Sequence, residues 1–270
     1  MRHDRSVLIA FPFVLALVLL VSAVTPGSAQ TVPGRITVMS YNIHHGEGTN
    51  RILDLKRIAD VIKGAAPDIV ALQEVDKNTN RSGGVDQAAE LARLTGMRYQ
   101  FGKAINYDGG EHGIAILTRH PFTLIGNWPL PGFKEARAAL FVAIDLSSLY
   151  GAGVSMTFVA THLDNRRSAN RIKSADDIEA VMTGLPPRPA LLGGDLNDRP
   201  NTATLNAFDR YWDIEDLGRA LWTFPAGTPD RQLDYVLSRK SGDWTVHDIE
   251  VLNEPVASDH RPIVYVYELN

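Results

Sequence analysis

The sequence predicts an α/β fold of the four-layer αββα type, in which two packed mixed β-sheets are flanked by helices. Strand-like and helix-like segments alternate in the first part of the chain, and a series of neighbouring strand-like segments follows. Further strand patterns lie near the carboxyl end. So many strands require two sheets, and their mostly apolar sequences are typical of strands buried between a second sheet and covering helices.

The first predicted elements are a strand, a helix and a short buried strand, over 35–43, 53–65 and 68–72. The helix is predicted because apolar residues share one of its faces, namely Leu55, Ile58, Val61 and Ile62. A second helix is predicted to begin after Asp86, a typical N-cap residue. It is expected to continue through Leu94 and to stop at Gly96.

The middle of the chain predicts neighbouring strands over 99–105, 113–118, 122–126, 137–146 and 154–161. Gly151 and Gly153 indicate a hairpin between the last two. A polar helix over 168–182, a strand over 190–192 and a short helix over 202–208 follow. The last predicted strands are 233–237, 244–252 and 262–267.

The composition is that of a globular protein, with 270 residues, of which 44% are hydrophobic and 21% charged. Disordered and fibrous classes are therefore excluded. No linker or repeat divides the chain, so 30–270 is expected to form one domain. Because the chain has no cysteine, it can form neither disulfides nor a thiolate zinc site, and its stability must come from a large core.

Residues 1–29 are predicted to be a secretory signal peptide. A partly basic start is followed by an apolar segment from Val7 to Val24, and small residues precede Gln30. The mature protein is then secreted or periplasmic. The alternative is an uncleaved membrane anchor, because about 18 apolar residues just suffice to span a bilayer. Cleavage would change the formal net charge from −4 to −5 by removing Arg2, Arg5 and Asp4, so the domain has no strongly basic footprint for nucleic acid.

Polar residues occur where apolar strand-like segments stop. They are Asn42 in SYNIHHGEG, Glu74 in DIVALQEVD, His162 in FVATHLD, Asp195 and Asn197 in LLGGDLND, Asp234 in QLDYVLS, and Asp259 and His260 in ASDHRP. Taken singly, each has a structural explanation: asparagine often caps turns, and a carboxylate at a strand end is often only solvated. Together, at converging strand ends, they predict one site for metal-assisted phosphoester hydrolysis.

These motifs, in this order, resemble those of the endonuclease/exonuclease/phosphatase superfamily. The superfamily includes deoxyribonuclease I, apurinic endonucleases, neutral sphingomyelinases and inositol-polyphosphate 5-phosphatases. The resemblance extends from Asn42 to His260 and implies a deoxyribonuclease I-like sandwich. His162 stands where apurinic endonucleases have tyrosine, and TPDRQLDY lacks the tryptophan that 5-phosphatases carry, so the resemblance disfavours these two branches.

The resemblance also implies a cofactor, Mg²⁺ or Mn²⁺. Glu74 would bind the cation directly, since hard ions prefer carboxylate oxygen. Asn42 and Asp259 would complete the surroundings of the metal. The ion would polarise a phosphoryl oxygen and stabilise the leaving oxyanion.

The other motif residues are expected to act on the attacking water and on the phosphate. Asp195 would orient or deprotonate the water, and Asn197 would position it. Asp234 would hold His260 and favour its imidazolium form, and His162 would face the same phosphate. Since there is no nucleophilic cysteine and no G-x-S-x-G motif, direct attack by water is predicted.

Two arginines are candidates for substrate binding. Arg137 in FKEARAAL lies near a position where relatives place a basic group, and Arg81 in NRSGGVDQ could bind a phosphate through two hydrogen bonds. The alternative for Arg137 is a surface ion pair. The segment 128–133 is a candidate apolar patch for meeting a bilayer, or equally a buried crossover.

The predicted function is that of an exported phosphodiesterase. Its substrate would be a phosphodiester, a lipid headgroup or a nucleic acid. No obligate protein partner is predicted, and a monomer is expected. The alternatives are a secreted nuclease of the deoxyribonuclease type and, from a different class, a non-catalytic binding module on the same fold.

Overall fold

The computed structural model describes residues 34–240 and 244–270, together with Met1. Apart from Met1, the predicted signal peptide lies outside these residues. The described residues form a sandwich of two six-stranded sheets with helices on its outer faces. The predicted four-layer αββα fold is therefore confirmed.

The elements of the first sheet are β1 (Arg35–Asn42), β2 (Ile69–Lys77), β3 (Arg98–Tyr107), β4 (Gly110–Thr118), β11 (Trp244–Val251) and β12 (Ile263–Leu269). Those of the second sheet are β5 (Phe122–Leu130), β6 (Arg137–Asp145), β7 (Ser155–His162), β8 (Ala190–Asp195), β9 (Trp212–Asp213) and β10 (Asp234–Arg239). The helices are α1 (Leu55–Ala65), α2 (Gln87–Thr95), α3 (Ser147–Tyr150), α4 (Ser168–Thr183) and α5 (Ala203–Phe208). A 3₁₀ turn spans His44–Gly46.

Both sheets are mixed, and each has one parallel pair near its middle. The strand orders are β11-β12-β1-β2-β4-β3 and β5-β6-β7-β8-β10-β9. In the first sheet β1 runs parallel to β2, and in the second β7 runs parallel to β8. Parallel neighbours end at the same edge of their sheet, so each pair delivers two strand ends to one place.

Three layers of apolar side chains hold the sandwich together. The central layer lies between the sheets and includes Val38, Ile116, Leu140 and Phe158. One outer layer joins the first sheet to α1 and α2 through residues such as Ile58 and Leu91, and the other contains residues of α4 and α5. Among the described residues no helix is long and apolar enough to cross a membrane.

The predicted bounds of the second helix agree with its capping contacts. The Asp86 side chain accepts a hydrogen bond from the backbone N–H of Ala89 at 3.1 Å, and Gly96 ends α2 with φ 71°. The first helix begins two residues later than predicted because Asp54 acts as its N-cap, accepting from Arg57. The short elements α3 and β9 were not predicted, since four or fewer residues show no periodic pattern.

Candidate active site

The second sheet brings three of the predicted site residues into one row. The last residue of β7, His162, is in register with Asp195, the last residue of β8. Asp195 is in turn in register with Asp234, the first residue of β10. Because β10 is antiparallel to β8, its starting end meets the finishing end of β8. Strand register therefore places an imidazole and two carboxylates side by side.

Asn42 connects this row to the first sheet. Its Nδ2 donates to Oε1 of Glu74 and to Oδ2 of Asp195, each at 3.1 Å. Its Oδ1 accepts from the backbone N–H of His44 at 3.0 Å, which orients the amide. Ser258 donates to the Asn42 carbonyl oxygen at 2.7 Å and so attaches the loop before β12. One fully buried amide thus joins both sheets at the site.

Glu74 reaches the site through an irregularity in β2. The register between β2 and β4 shifts between Gln73 and Val75, and Glu74 has φ 56°. A bulge of this kind turns a side chain away from the regular alternation of the strand. Desolvation by the surrounding protein opposes ionisation, but the positive charge that His162 carries when it is protonated and the hydrogen bond from Asn42 lower the pKa of Glu74 to about 2. Glu74 is therefore a carboxylate at neutral pH.

His260 is held between two carboxylates. Its Nδ1 donates to Oδ2 of Asp234 at 2.8 Å, which leaves Nε2 at 3.8 Å from Oδ2 of Asp195. Burial alone would lower the pKa of His260, but the charge and hydrogen bond of Asp234, then the charges of Asp195 and Asp259, raise it to about 10. Burial and the Asp234 charge raise the pKa of Asp195 to about 7. The site thus combines an imidazolium with a carboxyl group that titrates near neutrality.

His162 has the opposite protonation state. Its Nε2 lies 3.5 Å from Oδ2 of Asp195. Burial and the positive charge of Arg137 hold the pKa of His162 well below its usual range, so this imidazole is neutral at pH 7. Two histidines near one carboxylate therefore serve as a charged and an uncharged group.

Asn197 shapes the turn after β8. It has φ 53°, its backbone N–H donates to Oδ1 of Asp195 at 2.9 Å, and its Nδ2 donates to the Leu163 carbonyl at 3.0 Å. Asn197 is therefore a turn residue, and its role in positioning the attacking water stays a prediction. Asp259 is partly exposed, and its Oδ1 lies 3.4 Å from Oγ of Ser258.

The donor set fits a divalent cation. The carboxylates of Glu74 and Asp259 are the kind of oxygen ligand that Mg²⁺ prefers, whereas the Asn42 amide turns its nitrogen toward Glu74 and its oxygen toward the His44 N–H. Two further groups of side chains have ligand atoms within 4.8 Å of one another, one made of His44, His45 and Glu74 and the other of Asp195, Asp234 and His260.

The two candidate arginines differ in their surroundings. Arg137 is 8% exposed, donates to Oε1 of Glu135 at 2.7 Å and keeps a buried Nε without a hydrogen-bond partner. Its charge acts on His162, so it stands at the site. Arg81 instead donates through Nε and Nη2 to the buried Asp76, at 2.7 and 2.8 Å. Its binding to substrate stays a prediction.

The segment 128–133, a candidate apolar patch or buried crossover, is partly buried and partly exposed. Leu130 is buried, and the ring of Trp128 packs edge-on against Phe141 at 5.0 Å between β5 and the second sheet's helices. Residues 128–130 are thus the end of the edge strand β5, paired with β6, and not a crossover. Phe133 is 40% exposed and Pro129 is exposed as well, and the guanidinium of Arg167 lies 3.6 Å from the Phe133 ring centre.

Three histidines outside the predicted set of site residues lie at the site. His112 is buried, with Nδ1 2.7 Å from Oδ1 of Asp76 and Nε2 3.9 Å from Glu135. His44 and His45 follow Asn42 directly and place their rings 4.5 Å apart. The pair at 44–45 was visible as a repeated imidazole beside a site residue, whereas His112 had no pattern around it.

Comparisons with known proteins agree with this fold. The protein YbhP of Escherichia coli strain K12 is 25% identical over 248 residues, covering 87% of this chain and 96% of YbhP. An endonuclease/exonuclease/phosphatase structure from Beutenbergia cavernae superposes with a TM-score of 0.66 at 24% identity, covering 87% of this chain and 72% of that one. The mannosyl-6-phosphatase Bt3783 of Bacteroides thetaiotaomicron has a TM-score of 0.67 at 18% identity, covering 86% and 99%.

The two structural similarities show a common fold. The family profile described as "Endonuclease/Exonuclease/phosphatase family" matches residues 39–260, a range that contains every residue of the predicted motifs from Asn42 to His260. Members of this family are hydrolases that act on phosphoester bonds and generally depend on divalent metals. The chain belongs to the endonuclease/exonuclease/phosphatase family.

Proposed function

We propose that the protein is a divalent-metal-dependent phosphodiesterase in which water attacks phosphorus directly. The observation that carries this proposal is the position of Asp195, whose Oδ2 lies 3.5 Å from the neutral His162 and 3.8 Å from the charged His260. A carboxyl group that titrates near pH 7 can accept a proton, and an imidazolium beside it can donate hydrogen bonds to a phosphate. Together the two groups can support hydrolysis without a covalent intermediate.

Asp195 is the base in this reaction. It accepts a proton as the water oxygen forms its bond to phosphorus and the bond between phosphorus and the leaving oxygen breaks. The Asn197 N–H and the Asn42 amide bind the two carboxylate oxygens separately, so the carboxyl plane is set before substrate arrives. Such preorganisation avoids reorienting the base during the reaction.

His260 stabilises the negative charge that develops on the phosphoryl oxygens. Because Asp234 accepts the Nδ1 proton, Nε2 presents the second proton of the imidazolium toward the site. Arg137 adds a buried positive charge on the side of His162. The charge distribution thus suits an anionic substrate although the whole chain is acidic, with a formal net charge of −4.

The metal would be held by Glu74, with Asn42 and Asp259 completing its surroundings. When bound, Mg²⁺ or Mn²⁺ supplies polarisation of the phosphoryl oxygen and stabilisation of the leaving oxyanion. The ionised state of Glu74 suits this role, because a cation site needs a deprotonated carboxylate.

Exposed aromatic residues close along the chain to residues of the site favour a diester with an apolar or aromatic ester group. Phe133 lies in the loop before Arg137 and is 40% exposed, and Trp222 is 50% exposed. Trp222 precedes Phe224 by two positions, and the Phe224 ring centre is 4.7 Å from that of His260. A lipid headgroup or a nucleotide could contact such residues. The acidic net charge gives little support to the nuclease alternative.

The deciding experiment measures hydrolysis of bis(p-nitrophenyl) phosphate, plasmid DNA, sphingomyelin and phosphatidylinositol vesicles, inositol phosphates and mannose 6-phosphate. Turnover that EDTA and Glu74→Gln both abolish supports the proposal, and the preferred substrate identifies the branch. Hydrolysis confined to mannose 6-phosphate or inositol phosphates would replace the phosphodiesterase by a phosphomonoesterase. No turnover with any divalent ion would favour the binding-module alternative.

We also propose that the protein is exported after cleavage of residues 1–29. Support comes from the basic start, the apolar segment and the small residues before Gln30. Intact-mass measurement of the protein from the exporting host tests this, since cleavage leaves Gln30 as the first residue. A mass that includes residues 1–29 would favour the membrane-tethered alternative.

A further inference from the structure

The turn after β1 contains two consecutive residues in a conformation that side chains disfavour. His44 and His45 both have φ 45°, in the left-handed region, and Gly46 follows with φ 80°. A non-glycine residue in that region costs on the order of 1 kcal/mol or more, and such residues concentrate at functional sites. The strain therefore points to a functional role for the two imidazoles.

The strained turn is firmly anchored. The backbone N–H of His44 donates to Asn42 at 3.0 Å, and Gln87 of α2 donates through Nε2 to the His45 carbonyl at 2.6 Å. A Cβ atom on Gly46 would lie 2.9 Å from Cδ2 of Leu55, so α1 packs closely against the turn. Contacts with both helices over-determine the backbone, which is the condition under which such strain persists.

The turn presents two nitrogen ligands to Glu74. One ring nitrogen of His44, one of His45 and a carboxylate oxygen of Glu74 all lie within 4.8 Å of one another. His44 Nδ1 is 3.1 Å from the Glu47 carbonyl oxygen, which can only accept a hydrogen bond. That contact places the proton on Nδ1 and leaves the lone pair on Nε2, the arrangement usual for metal-binding histidine.

His45 has an unpartnered polar atom. Its Nδ1 is buried and has no hydrogen-bond partner, while its Nε2 lies 3.8 Å from Oε2 of Glu47. Buried nitrogen atoms in native proteins are nearly always paired, and an ion is one of the ordinary explanations for an exception. Two imidazoles and a carboxylate facing one another form a known ligand set for zinc and for other transition metals.

We propose that His44, His45 and Glu74 form a site for a borderline divalent metal such as Zn²⁺, Co²⁺ or Mn²⁺. Imidazole nitrogen suits these ions, whereas Mg²⁺ selects oxygen. The site shares Glu74 with the oxygen donors of the proposed function and in that respect rests on it, but binding at the histidines needs no turnover. Because Glu74 belongs to both sets of ligands, an ion bound at the histidines changes how Glu74 can bind Mg²⁺.

The test measures metal binding and not activity. Co²⁺ is titrated into the purified protein by visible absorption and by calorimetry, and X-ray absorption spectra report imidazole ligands. The variants are His44→Asn, His45→Asn and the double variant, since asparagine tolerates the left-handed conformation. The matched control is His247→Asn, because His247 lies in β11, 2.6 Å from Glu268 and outside the site.

Wild type and the control are expected to bind Co²⁺ and Zn²⁺ with imidazole ligation, and the double variant to bind them at least about tenfold more weakly. Glu74→Gln should weaken binding similarly while leaving the strained turn intact. Equal affinity in the double variant and in wild type, with both folded by circular dichroism, overturns the proposal.

Failure of this proposal is distinguishable from failure of the proposed function. If the double variant binds Co²⁺ as tightly as wild type and Mg²⁺ supports hydrolysis, only the proposal of a histidine site is overturned. If the protein binds Co²⁺ through imidazole ligands but hydrolyses no phosphoester, only the proposed function is overturned.

Discussion

His260 donates its Nδ1 proton to Asp234 at 2.8 Å, although the two residues belong to segments that enter different sheets. Asp234 begins β10 of the second sheet, and His260 lies three residues before β12 of the first. Both side chains are buried. Their hydrogen bond therefore both joins the two halves of the sandwich and sets the charge of the imidazole.

Replacing Asp234 by asparagine is expected to lower kcat by about 10²- to 10⁴-fold. The substitution keeps the shape of the side chain but removes the charge that raises the pKa of His260 to about 10. Steady-state kinetics measures the loss, and an NMR titration of the His260 ring should show a pKa moved toward its ordinary value. Asp209→Asn is the control, because that carboxylate pairs with Lys240 at the surface. Wild-type kcat in Asp234→Asn would contradict the assignment.

The pH dependence of kcat/KM is expected to be bell-shaped. Asp195 must be deprotonated to accept a proton, and since its pKa is raised to about 7, activity should increase as the pH rises through about 7. His260 must be protonated, and since its pKa is raised to about 10, activity should decrease as the pH rises through about 10. Rates at constant free metal and ionic strength over this range test both limbs.

The alkaline limb belongs to His260 in this interpretation. A His260→Gln variant should keep the rise near pH 7 and lose the fall near pH 10, at much lower activity. An unchanged alkaline limb in that variant would assign the second ionisation to another group.

Gly193→Ala is expected to destabilise the fold by about 1–3 kcal/mol. Gly193 lies in β8, where an added Cβ would meet Cβ of Ala71 at 2.8 Å and Cζ of Phe158 at 3.3 Å. Ala71 belongs to the opposite sheet, so the two sheets would have to separate beneath the site. Urea unfolding monitored by circular dichroism measures the change.

Gly64→Ala is the matched control for this prediction. Gly64 lies in α1, is exposed and has open space around its Cα. Alanine there should stabilise the protein by about 0.5–1 kcal/mol, because it reduces the freedom of the unfolded chain and favours the helix. Equal effects of the two substitutions would show that the spacing of the sheets is not limiting.

Arg81→Gln is expected to lower the free energy of unfolding by about 1–3 kcal/mol, because it removes a charged partner of the buried Asp76 while Arg81 itself is 30% exposed. The buried Asp76 would keep only His112 and Thr79 as side-chain partners. A KM increase beyond that of a matched destabilised variant such as Gly193→Ala would support the predicted contact with substrate. Unfolding midpoints and KM, measured on the same preparations, separate the two roles.

Local sequence was sufficient for much of the fold. The apolar segments that end at Asn42, His162 and Asp195 mark strands β1, β7 and β8, and Asp86 and Gly96 mark the ends of α2. These signals act within a few residues along the chain, which is why they are readable without the structure. The short elements α3 and β9 were not predicted because they depend on contacts with neighbouring elements.

The site was only partly readable in the same way. The motif residues could be listed from their strand ends, yet the bridging of Glu74 and Asp195 by one Asn42 amide was not foreseen. The ion pair between Arg81 and Asp76 was not foreseen either, since an arginine in a glycine-bearing loop looks free to bind substrate. Arg81 pairs with Asp76 because tertiary packing places that buried carboxylate within hydrogen-bond distance. This distance cannot be read from the sequence.

The sequence by itself determined the class of fold, the order of the strands along the chain and the polar residues at their ends. Hydrophobic periodicity and turn chemistry are local properties, and the family motifs follow them. Only the tertiary structure decided which groups meet within about 3 Å, which histidine is charged, and that His44 and His45 face Glu74. Register and the packing of one sheet on the other set those distances, and ionisation follows from the distances and from burial.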